Sequence, residues 1–442
     1  MNQKLKCSFA VLLLLSSVTQ FSLAKPKAVD WPNLYKEQLF HVTEVMVTDV
    51  ASPPVAARIY AYTNLAAYLV INESSIGFEN GSILNQTYLA DQQWNFESPT
   101  IKSREFAAIY ALLKVGESIM PSGYLLKEKQ QLWSEIAIKS KIVSKKELQA
   151  HIAYAETVAS KVMEVAKRDG YLQLSTLTRY SPKKGKGFWY PTPPAYIAAI
   201  EPNWKTIKPF FIRDLKEYDP APMAPFNMAE GSSFHTQLME VYTTTNELDE
   251  ERKLIANFWD CNPFKVKFSG HMAIGVKKIS PGGHWIGITG IAAQKAKLSF
   301  AETAYIHALV GMTLHDAFIS CWNAKYDTDR IRPETVINQQ IDQRWRPLLQ
   351  TPPFPEYTSG HSVISRASAV VLTGYFGDNF EFIDSSETYF GLPERPFPSF
   401  LYASEEAAIS RLYGGIHFRD AIENGVVQGE KIGDMIWEKV KK

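Results

Sequence analysis

The sequence predicts an all-α protein composed of two helical bundles. Apolar residues recur at helical spacing along most of the chain, and no group of segments shows the alternating pattern of strands. Between the two helical regions, residues 175–226 are rich in proline and aromatic residues and have little periodicity. We interpret these residues as a long, ordered segment that crosses from one bundle to the other.

In the N-terminal region, helical spacing predicts helices over residues 34–70, 102–119, 125–138 and 145–169. Pro53 and Pro54 are expected to break the first of these helices, because proline cannot continue a helix that precedes it. The last stretch is rich in alanine, glutamate and lysine, which favour helix, and it contains few residues that break one.

The helical pattern resumes at Phe234. Ser299 and Glu302 have the spacing of a capping box, which predicts the start of a helix over residues 300–325. Apolar residues share one face of residues 360–376, as they do in a half-buried helix.

Two further helices are predicted near the C-terminus. Ser404 is expected to cap the first, with the carboxylates of Glu405 and Glu406 next to its positive end. This helix is expected to end at Gly414, since glycine is a weak helix former. A final amphipathic helix is predicted over residues 421–440.

The first 24 residues have the pattern of a secretory signal peptide. Lys4 and Lys6 form a positive region, residues 9–15 form an apolar core, and Ser22-Leu23-Ala24 is a small-x-small cleavage site. The apolar run is too short to span a membrane, and no second run follows. We therefore predict a secreted or periplasmic protein with a signal peptide (1–24), an N-terminal helical half with the crossing segment (25–230) and a C-terminal catalytic half (231–442).

The composition is that of an ordinary globular protein, with 45% hydrophobic and 21% charged residues. A formal net charge of +1 indicates no bulk attraction to nucleic acid or to an anionic membrane. Cys261 and Cys321 follow the predicted signal peptide. A single disulfide and two separately buried thiols are both compatible with this pair.

Three segments of the C-terminal half carry the candidate chemistry. They are Lys325 with Arg332 and Pro333, then Ser359-Gly360-His361 directly before a predicted helix, and then Ser410-Arg411, a Gly-Gly turn and His417. Each segment alone is compatible with a purely structural role. Their joint occurrence in this order indicates one site.

The residue types in these segments suit a tetrahedral oxyanion such as phosphate or vanadate. A helix N-terminus presents free N–H groups, so the amides near Ser359 and Gly360 are expected to bind oxygens. Arg332 and Arg411 offer planar donor forks, and Lys325 adds a compact positive charge.

The two histidines of these segments add chemistry to the anion site. Imidazole titrates near neutral pH, so His361 and His417 supply either a nucleophile or an acid–base pair. A nucleophile opposite a proton donor is the arrangement that in-line displacement at a tetrahedral centre requires.

The three segments resemble a signature shared by type 2 phosphatidic acid phosphatases, bacterial class A acid phosphatases and vanadium-dependent haloperoxidases. That signature is Lys-x6-Arg-Pro, then Pro-Ser-Gly-His, then Ser-Arg-x5-His-x3-Asp. The first part matches fully here, whereas Thr358 replaces the usual proline of the second. In the third part Ala421 replaces the aspartate, so its role passes to Asp420, to Glu423 or to no residue.

The resemblance implies a helical fold like that of the haloperoxidases and acid phosphatases, and a role for each matching residue. The implied ligands of the oxyanion are Lys325, Arg332, Ser359, Gly360 and Arg411, with His361 as the acid–base group in the same site. His417 would be the apical ligand of vanadium, or the phosphorylated nucleophile of a phosphatase. Lys325 would polarise the bound peroxide.

Vanadate and phosphate have nearly the same shape, so the residues alone leave both activities open. The lipid phosphatases span membranes several times, and the class A phosphatases are about half this length, so the chain looks more like the bacterial iodoperoxidases. We therefore expect a vanadate cofactor, which phosphate can replace, with hydrogen peroxide and iodide or bromide as substrates. The alternatives are an exported acid phosphatase that cleaves a phosphomonoester through a phosphohistidine, and an oxyanion-binding protein without catalysis.

Several other residues are assigned by position. Trp322, Asn323 and Phe354 are expected to lie near the anion and to shape the halide side of the pocket. His307 and His315 lie two turns apart on one predicted helix, and we expect a core role for them rather than metal binding. Residues 280–285 are interpreted as a structural turn, with a pocket wall as the alternative.

Overall fold

Helices dominate the structure, a computed structural model that describes residues 29–71, 82–94, 96 and 101–441. The predicted signal peptide lies outside these residues. The α-helices are α1 (Trp31–Thr48), α2 (Pro53–Val70), α3 (Arg104–Ile119), α4 (Leu126–Lys139), α5 (Leu148–Ala166), α6 (Ser233–Asn246), α7 (Glu250–Phe258), α8 (Pro281–Lys295), α9 (Phe300–Thr328), α10 (Pro333–Gln340), α11 (Gly360–Phe376), α12 (Phe400–Tyr413) and α13 (Arg419–Val440). Short 3-10 turns occur at Ile83–Gln86, Gly123–Leu125, Tyr171–Thr176, Trp204–Thr206, Leu215–Tyr218 and Thr388–Phe390.

The structure confirms the all-α prediction and most predicted helix starts. The break at Pro53 separates α1 from α2, where the Ser52 hydroxyl caps the new helix and Pro53 occupies its first turn. Both hydrogen bonds of the capping box at Ser299 and Glu302 are present at the start of α9. Among the described residues, no helix is long and apolar enough to cross a membrane.

The predicted cap at Ser404 is wrong. Helix α12 begins at Phe400, and its cap is Ser399, whose hydroxyl accepts the N–H of Tyr402 at 3.1 Å. Ser404 lies one turn inside the helix and donates to the Leu401 carbonyl. The first turn of α12 is aromatic and apolar rather than acidic, so it lacks the charge pattern on which the prediction depended.

Two short hairpins depart from the expectation of no strands. Strand β1 (Val266–Ser269) pairs with β2 (Met272–Gly275), and β3 (Phe382–Asp384) pairs with β4 (Arg395–Phe397), both antiparallel. Each strand has only three or four residues, which is too short to produce a recognisable alternation of polar and apolar positions.

The predicted crossing segment is ordered and is attached to α9 through a buried carboxylate. Asp316 accepts hydrogen bonds from the backbone N–H groups of Phe210, Phe211 and Ile212 at 2.6, 2.6 and 3.0 Å. Apart from short 3-10 turns, residues 177–226 form no helix. Because the segment lacks regular backbone hydrogen bonds, the Asp316 side chain of α9 supplies acceptors for its N–H groups instead.

Trp31–Lys442 forms one compact unit with a main hydrophobic core that both halves share. Helix α2 of the N-terminal half packs along α9 of the C-terminal half, and both helices are buried over most of their length. The boundary between residues 230 and 231 stays a prediction.

Glycines on α13 allow it to lie unusually close to α11. A Cβ atom added to Gly429 would lie 2.2 Å from the Val363 carbonyl oxygen, and one added to Gly433 would lie 2.7 Å from Cβ of Val370. Because these contacts are shorter than side chains tolerate, only glycine permits the observed spacing. This packing positions the start of α11 beside the start of α13.

We predict that Gly429→Ala destabilises the protein. Alanine favours helix over glycine by about 1 kcal/mol. The new methyl group would meet a backbone oxygen that cannot move independently, and such overpacking costs about 1–3 kcal/mol or more. We expect a net loss of about 2 kcal/mol in the free energy of unfolding, measured by urea denaturation.

Val427→Ala, at an exposed position of the same helix, is the control and should change the free energy of unfolding by less than about 0.5 kcal/mol. Wild-type stability of Gly429→Ala would contradict the close-packing argument.

Candidate active site

The loop Phe354–Thr358, between α10 and α11, organises the site. Lys325, near the end of α9, is completely buried and donates to the backbone carbonyls of Pro355, Glu356 and Thr358. These three bonds use all three ammonium hydrogens. Burial lowers the pKa of Lys325 to about 8. Lys325 therefore supplies positive charge while it fixes the loop, and its predicted direct contact with a ligand stays a prediction.

Arg332 connects the same loop to His417. It precedes α10, where Pro333 occupies the first turn, and its guanidinium is completely buried. It donates to the Phe354 carbonyl at 3.0 Å, to the Ile416 carbonyl at 2.9 Å and to Nε2 of His417 at 3.1 Å. Burial lowers its pKa to about 10.

Arg411, in the last turn of α12, is the third buried cation of the site. Its guanidinium donates to the Trp259 carbonyl at 2.7 Å and to the Ser410 hydroxyl at 2.9 Å. Burial lowers its pKa to about 10.

Lys325, Arg332 and Arg411 form no ion pair with any residue that the structure describes. Burial lowers the pKa values of all three, and the charges of Glu356 near Lys325 and Arg332 and of Asp260 near Arg411 offset this only in part. A buried charge is costly unless it is paired. Three such cations in one region therefore indicate a binding site for a multiply charged anion.

A small cavity of about 30 Å³ lies beside these cations. Four predicted site residues line it, namely Gly360, His361, Arg411 and His417. The lining also includes Trp322, Phe354, Cys261 and some of their neighbours, with Pro53 and Pro281 from two other segments. Lys325, Arg332 and Ser359 do not line the cavity, but they contact or adjoin residues that do. The three sequence segments thus converge on one place, as predicted.

The backbone at Ser359 does not have the predicted role. Its N–H donates to the Ala421 carbonyl at 2.9 Å, so this amide is not available to an oxyanion. The Ser359 hydroxyl caps α11 by accepting the Ser362 N–H, and this bond does not use the hydroxyl hydrogen. At Gly360 an added Cβ would meet nothing closer than 3.8 Å, so the lack of a side chain there leaves open space beside the helix N-terminus.

His361 presents a neutral imidazole to the cavity. Burial, and then the charge of Arg411, lowers its pKa well below 6.5. Its Nε2 atom is buried and has no hydrogen-bond partner. A buried polar atom without a partner is uncommon in proteins and suits a group that completes its hydrogen bonding with a ligand.

The contacts of His417 define its tautomer. Because Arg332 can only donate, Nε2 of His417 must accept and therefore carries a lone pair. The proton of the neutral ring is then on Nδ1, which donates to Oε1 of Glu356 at 2.8 Å. Burial, followed by the charges of Arg332 and Lys325, lowers the pKa of His417 well below 6.5, so the ring is neutral. His417 thus has the form that a metal ligand or nucleophile requires.

Glu356 occupies the place beside His417 that the sequence analysis left to Asp420, to Glu423 or to no residue. Its Oε1 also accepts the Phe418 N–H at 2.9 Å, and its Oε2 accepts from Arg330 at 3.1 Å. Asp420 does not reach the histidine, because it pairs with the same Arg330 and accepts the N–H of Ala224.

The assignment to Asp420 or Glu423 is therefore wrong. Glu423 is exposed and lies 3.9 Å from Arg419. Glu356 precedes His417 by 61 residues, and only the fold brings the two together. The sequence offered one indication of this role, which is that Glu356 lies between two segments of the site, Lys325 and the Ser-Gly-His sequence.

Of the three aromatic or amide residues expected near the anion, two are there. Trp322 and Phe354 line the cavity, and Nζ of Lys325 lies 5.7 and 5.1 Å from the centroids of their rings. Asn323 points elsewhere and donates to Asp219 at 3.3 Å, so its predicted role is wrong. Successive residues of a helix face different directions, which explains the difference between neighbours.

The remaining candidate residues are structural or only border the cavity. His307 and His315 are buried, each bound to a backbone carbonyl, and burial lowers the pKa of each to about 4, which confirms the core prediction. Ser280 caps α8 rather than forming an isolated turn, and Pro281 lines the cavity. Cys261 and Cys321 are both buried and are not bonded to each other.

Together these features fit a tetrahedral oxyanion of the size of phosphate or vanadate. The cations supply charge, His361 offers an unpartnered buried nitrogen and His417 offers a lone pair. Of the carboxylates in the described part of the chain, Asp260 lines the cavity, Glu356 is directed at His417 and Arg330, and Glu334 accepts from Thr351.

Comparison with known proteins supports this interpretation. The chain is 40% identical to a bacterial vanadium-dependent iodoperoxidase of known structure, with a TM-score of 0.85, over 93% of this chain and 98% of that one. Two structures of bacterial vanadium-dependent chloroperoxidase, holo and apo, share the fold at 16% and 15% identity, each with a TM-score of 0.63. They cover 89% and 88% of this chain, and 93% and 94% of their own.

The sequence comparison agrees with the structural one. A family described as the VCPO second helical-bundle domain matches residues 305–442, which contain all three site segments. A search of curated protein sequences finds no significant match. With this fold, this site and a 40% identical relative over nearly the whole length, the chain belongs to the family of vanadium-dependent haloperoxidases.

Proposed function

We propose that this enzyme oxidises iodide with hydrogen peroxide and uses vanadate as its cofactor. The observation that carries the proposal is the set of three buried cations without a carboxylate ion-pair partner among the described residues, next to a neutral histidine whose Nε2 lone pair accepts from one of them, Arg332. The choice of iodide rests on the 40% identical relative, whose printed description is a vanadium-dependent iodoperoxidase. Bromide is the second halide to test.

The residues of the site would hold vanadate through complementary charge and one directional bond. Arg332, Arg411 and Lys325 would balance its negative charge, and Nε2 of His417 would bind the metal. Bound vanadate supplies a Lewis acid that activates hydrogen peroxide towards attack by a halide. Glu356 would keep His417 in its binding tautomer, because its carboxylate accepts the Nδ1 proton.

Two further features of the pocket would serve the reaction. His361 is neutral and its Nε2 faces no protein partner, so it can accept a proton from hydrogen peroxide as general base. The rings of Trp322 and Phe354 exclude water from the cavity and leave an apolar surface on which the large, weakly hydrated iodide can lie.

The first prediction of this proposal concerns its enzymatic activity. Purified protein freed of vanadate should oxidise iodide with hydrogen peroxide only after orthovanadate is added, and a chromogenic phosphate ester should not be hydrolysed at a comparable rate. Triiodide formation and phosphate release measure the two reactions. His417→Ala should abolish the vanadate-dependent activity. Phosphate release without halide oxidation would instead identify a phosphatase, and binding of phosphate without either activity would identify a silent anion-binding protein.

The second prediction concerns Glu356. In Glu356→Gln the charge that stabilises the Nδ1 proton of His417 is lost, and the amide nitrogen is unfavourable next to Arg330. Removing such a partner of a metal-binding histidine lowers metal affinity by about 10–100-fold. We expect a loss of vanadate affinity in that range, measured as the vanadate concentration that gives half-maximal activity.

Glu334→Gln is the matched control for Glu356→Gln. Glu334 is a buried glutamate 22 positions earlier that accepts from Thr351 and does not contact His417. Its replacement leaves the Nδ1 partner of His417 in place and removes only a charge that acts on Arg332, so the half-maximal vanadate concentration should change much less than in Glu356→Gln. Equal effects of the two substitutions, or none from Glu356→Gln, would contradict the orienting role.

Export is also part of the proposal, and it rests on the sequence of residues 1–24. Cleavage after Ala24 would leave Lys25 as the first residue of the mature protein. N-terminal sequencing of protein recovered from the periplasm or the medium measures this directly. Recovery of the full-length chain from the cytoplasm alone would contradict export.

A further inference from the structure

A second cluster of reactive side chains lies behind the wall of the cavity. Cys261, His284 and Glu387 are all buried, with exposed fractions of 2%, 0% and 1%. They come from three separate parts of the chain: Cys261 lies between α7 and β1, His284 lies in the first turn of α8, and Glu387 follows β3. None of the three has a role in the proposed reaction.

Two of the three distances within this cluster match the edges of a metal coordination tetrahedron, and the third is about 0.3 Å longer. Zinc binds sulfur at about 2.3 Å and nitrogen or oxygen at about 2.0–2.2 Å, so tetrahedral angles separate the ligand atoms by roughly 3.3–3.6 Å. Here Sγ of Cys261 lies 3.4 Å from Nδ1 of His284, and Nδ1 lies 3.3 Å from Oε1 of Glu387. The third edge, Sγ to Oε1, is 3.9 Å.

The histidine of the cluster is oriented as in metal sites. Nε2 of His284 lies 2.7 Å from a carboxylate oxygen of Asp384, which accepts its proton, and Nδ1 faces Cys261 and Glu387. Although burial opposes it, the charge of Asp384 raises the pKa of His284 well above 6.5, so Nδ1 also carries a proton, which it would release when a metal binds. The other oxygen of Asp384 is held by the Ser386 N–H and hydroxyl. The Trp259 ring stacks on the imidazole with centroids 4.4 Å apart, which keeps the ring in place.

The charges of the cluster also favour a cation. Two carboxylates and a thiol surround a single imidazole in a fully buried place. Among the residues that the structure describes, the side chain of Glu387 has no N–H or O–H donor within hydrogen-bond distance other than this imidazole and the weakly donating thiol. Lys278 is the nearest ammonium, and it pairs with Asp260 at 3.4 Å. A divalent metal would neutralise the thiolate and the Glu387 carboxylate together.

We propose that Cys261, His284 and Glu387 bind a divalent metal of the zinc type, with a water molecule as fourth ligand. On binding, the Cys261 thiol and Nδ1 of His284 each release a proton to solvent, and the sulfur and Nδ1 bond to the metal with no change in oxidation state. The ligands of this site differ from the residues proposed to hold vanadate, although Cys261 also lines the cavity. Its metal would connect the segment that carries Trp259, whose carbonyl holds Arg411, to α8 and to the loop after β3.

Metal analysis of the full-length protein tests this proposal. Wild-type protein produced with added zinc and dialysed should contain about one zinc per chain. Cys261→Ala should contain at least tenfold less. Cys321→Ala, which removes the other buried thiol, is the matched control and should keep its zinc. Cobalt bound in place of zinc should give a thiolate charge-transfer absorption that Cys261→Ala lacks.

A measurement on the wild type alone covers the case in which Cys261→Ala does not fold. A strong chelator should lower the Tm of the wild type, and zinc added afterwards should restore it. Wild-type protein without zinc, cobalt absorption or a chelator effect on Tm would overturn the proposal. The cluster would then be a hydrogen-bonded network only. Vanadium content and halide oxidation do not enter these readouts, so the result does not depend on the proposed function.

Discussion

The active site depends on one short loop, Phe354–Thr358, and on the hydrogen bonds that it offers. Its carbonyls accept from Lys325 and Arg332, and the carboxylate of Glu356 accepts from His417 and Arg330. A loop without regular structure has unpaired backbone carbonyls, and here buried cations satisfy them. The same bonds that fold the loop therefore hold the cations of the site.

This arrangement leaves the site with more positive charge than the protein itself compensates. The cations are buried, their pKa values are lowered, and both imidazoles are neutral. Such a site is preorganised, because the free-energy cost of burying the cations is incurred when the protein folds and not when the anion binds. The anion then restores the balance, which explains how a small cavity can bind a highly charged ion tightly.

The rest of the fold supports this loop from two sides. The glycine face of α13 lets that helix approach α11 and brings the segment with His417 to Ser359. On the other side, the segment with Trp259 and Cys261 forms a wall that holds Arg411. Helix α9 connects both sides to the N-terminal half, since it carries Lys325 at one end and packs against α2.

The sequence by itself determined the helical class, most helix boundaries and the residue types of the anion site, because periodicity, caps and motif spacing are local properties of the chain. Only the tertiary structure decided which carboxylate orients His417, that the Ser359 amide is already bonded, and that Asn323 faces away. It also brought Cys261, His284 and Glu387 together. These contacts join residues far apart in the chain, and their formation depends on how whole helices and loops pack. No local pattern encodes that packing.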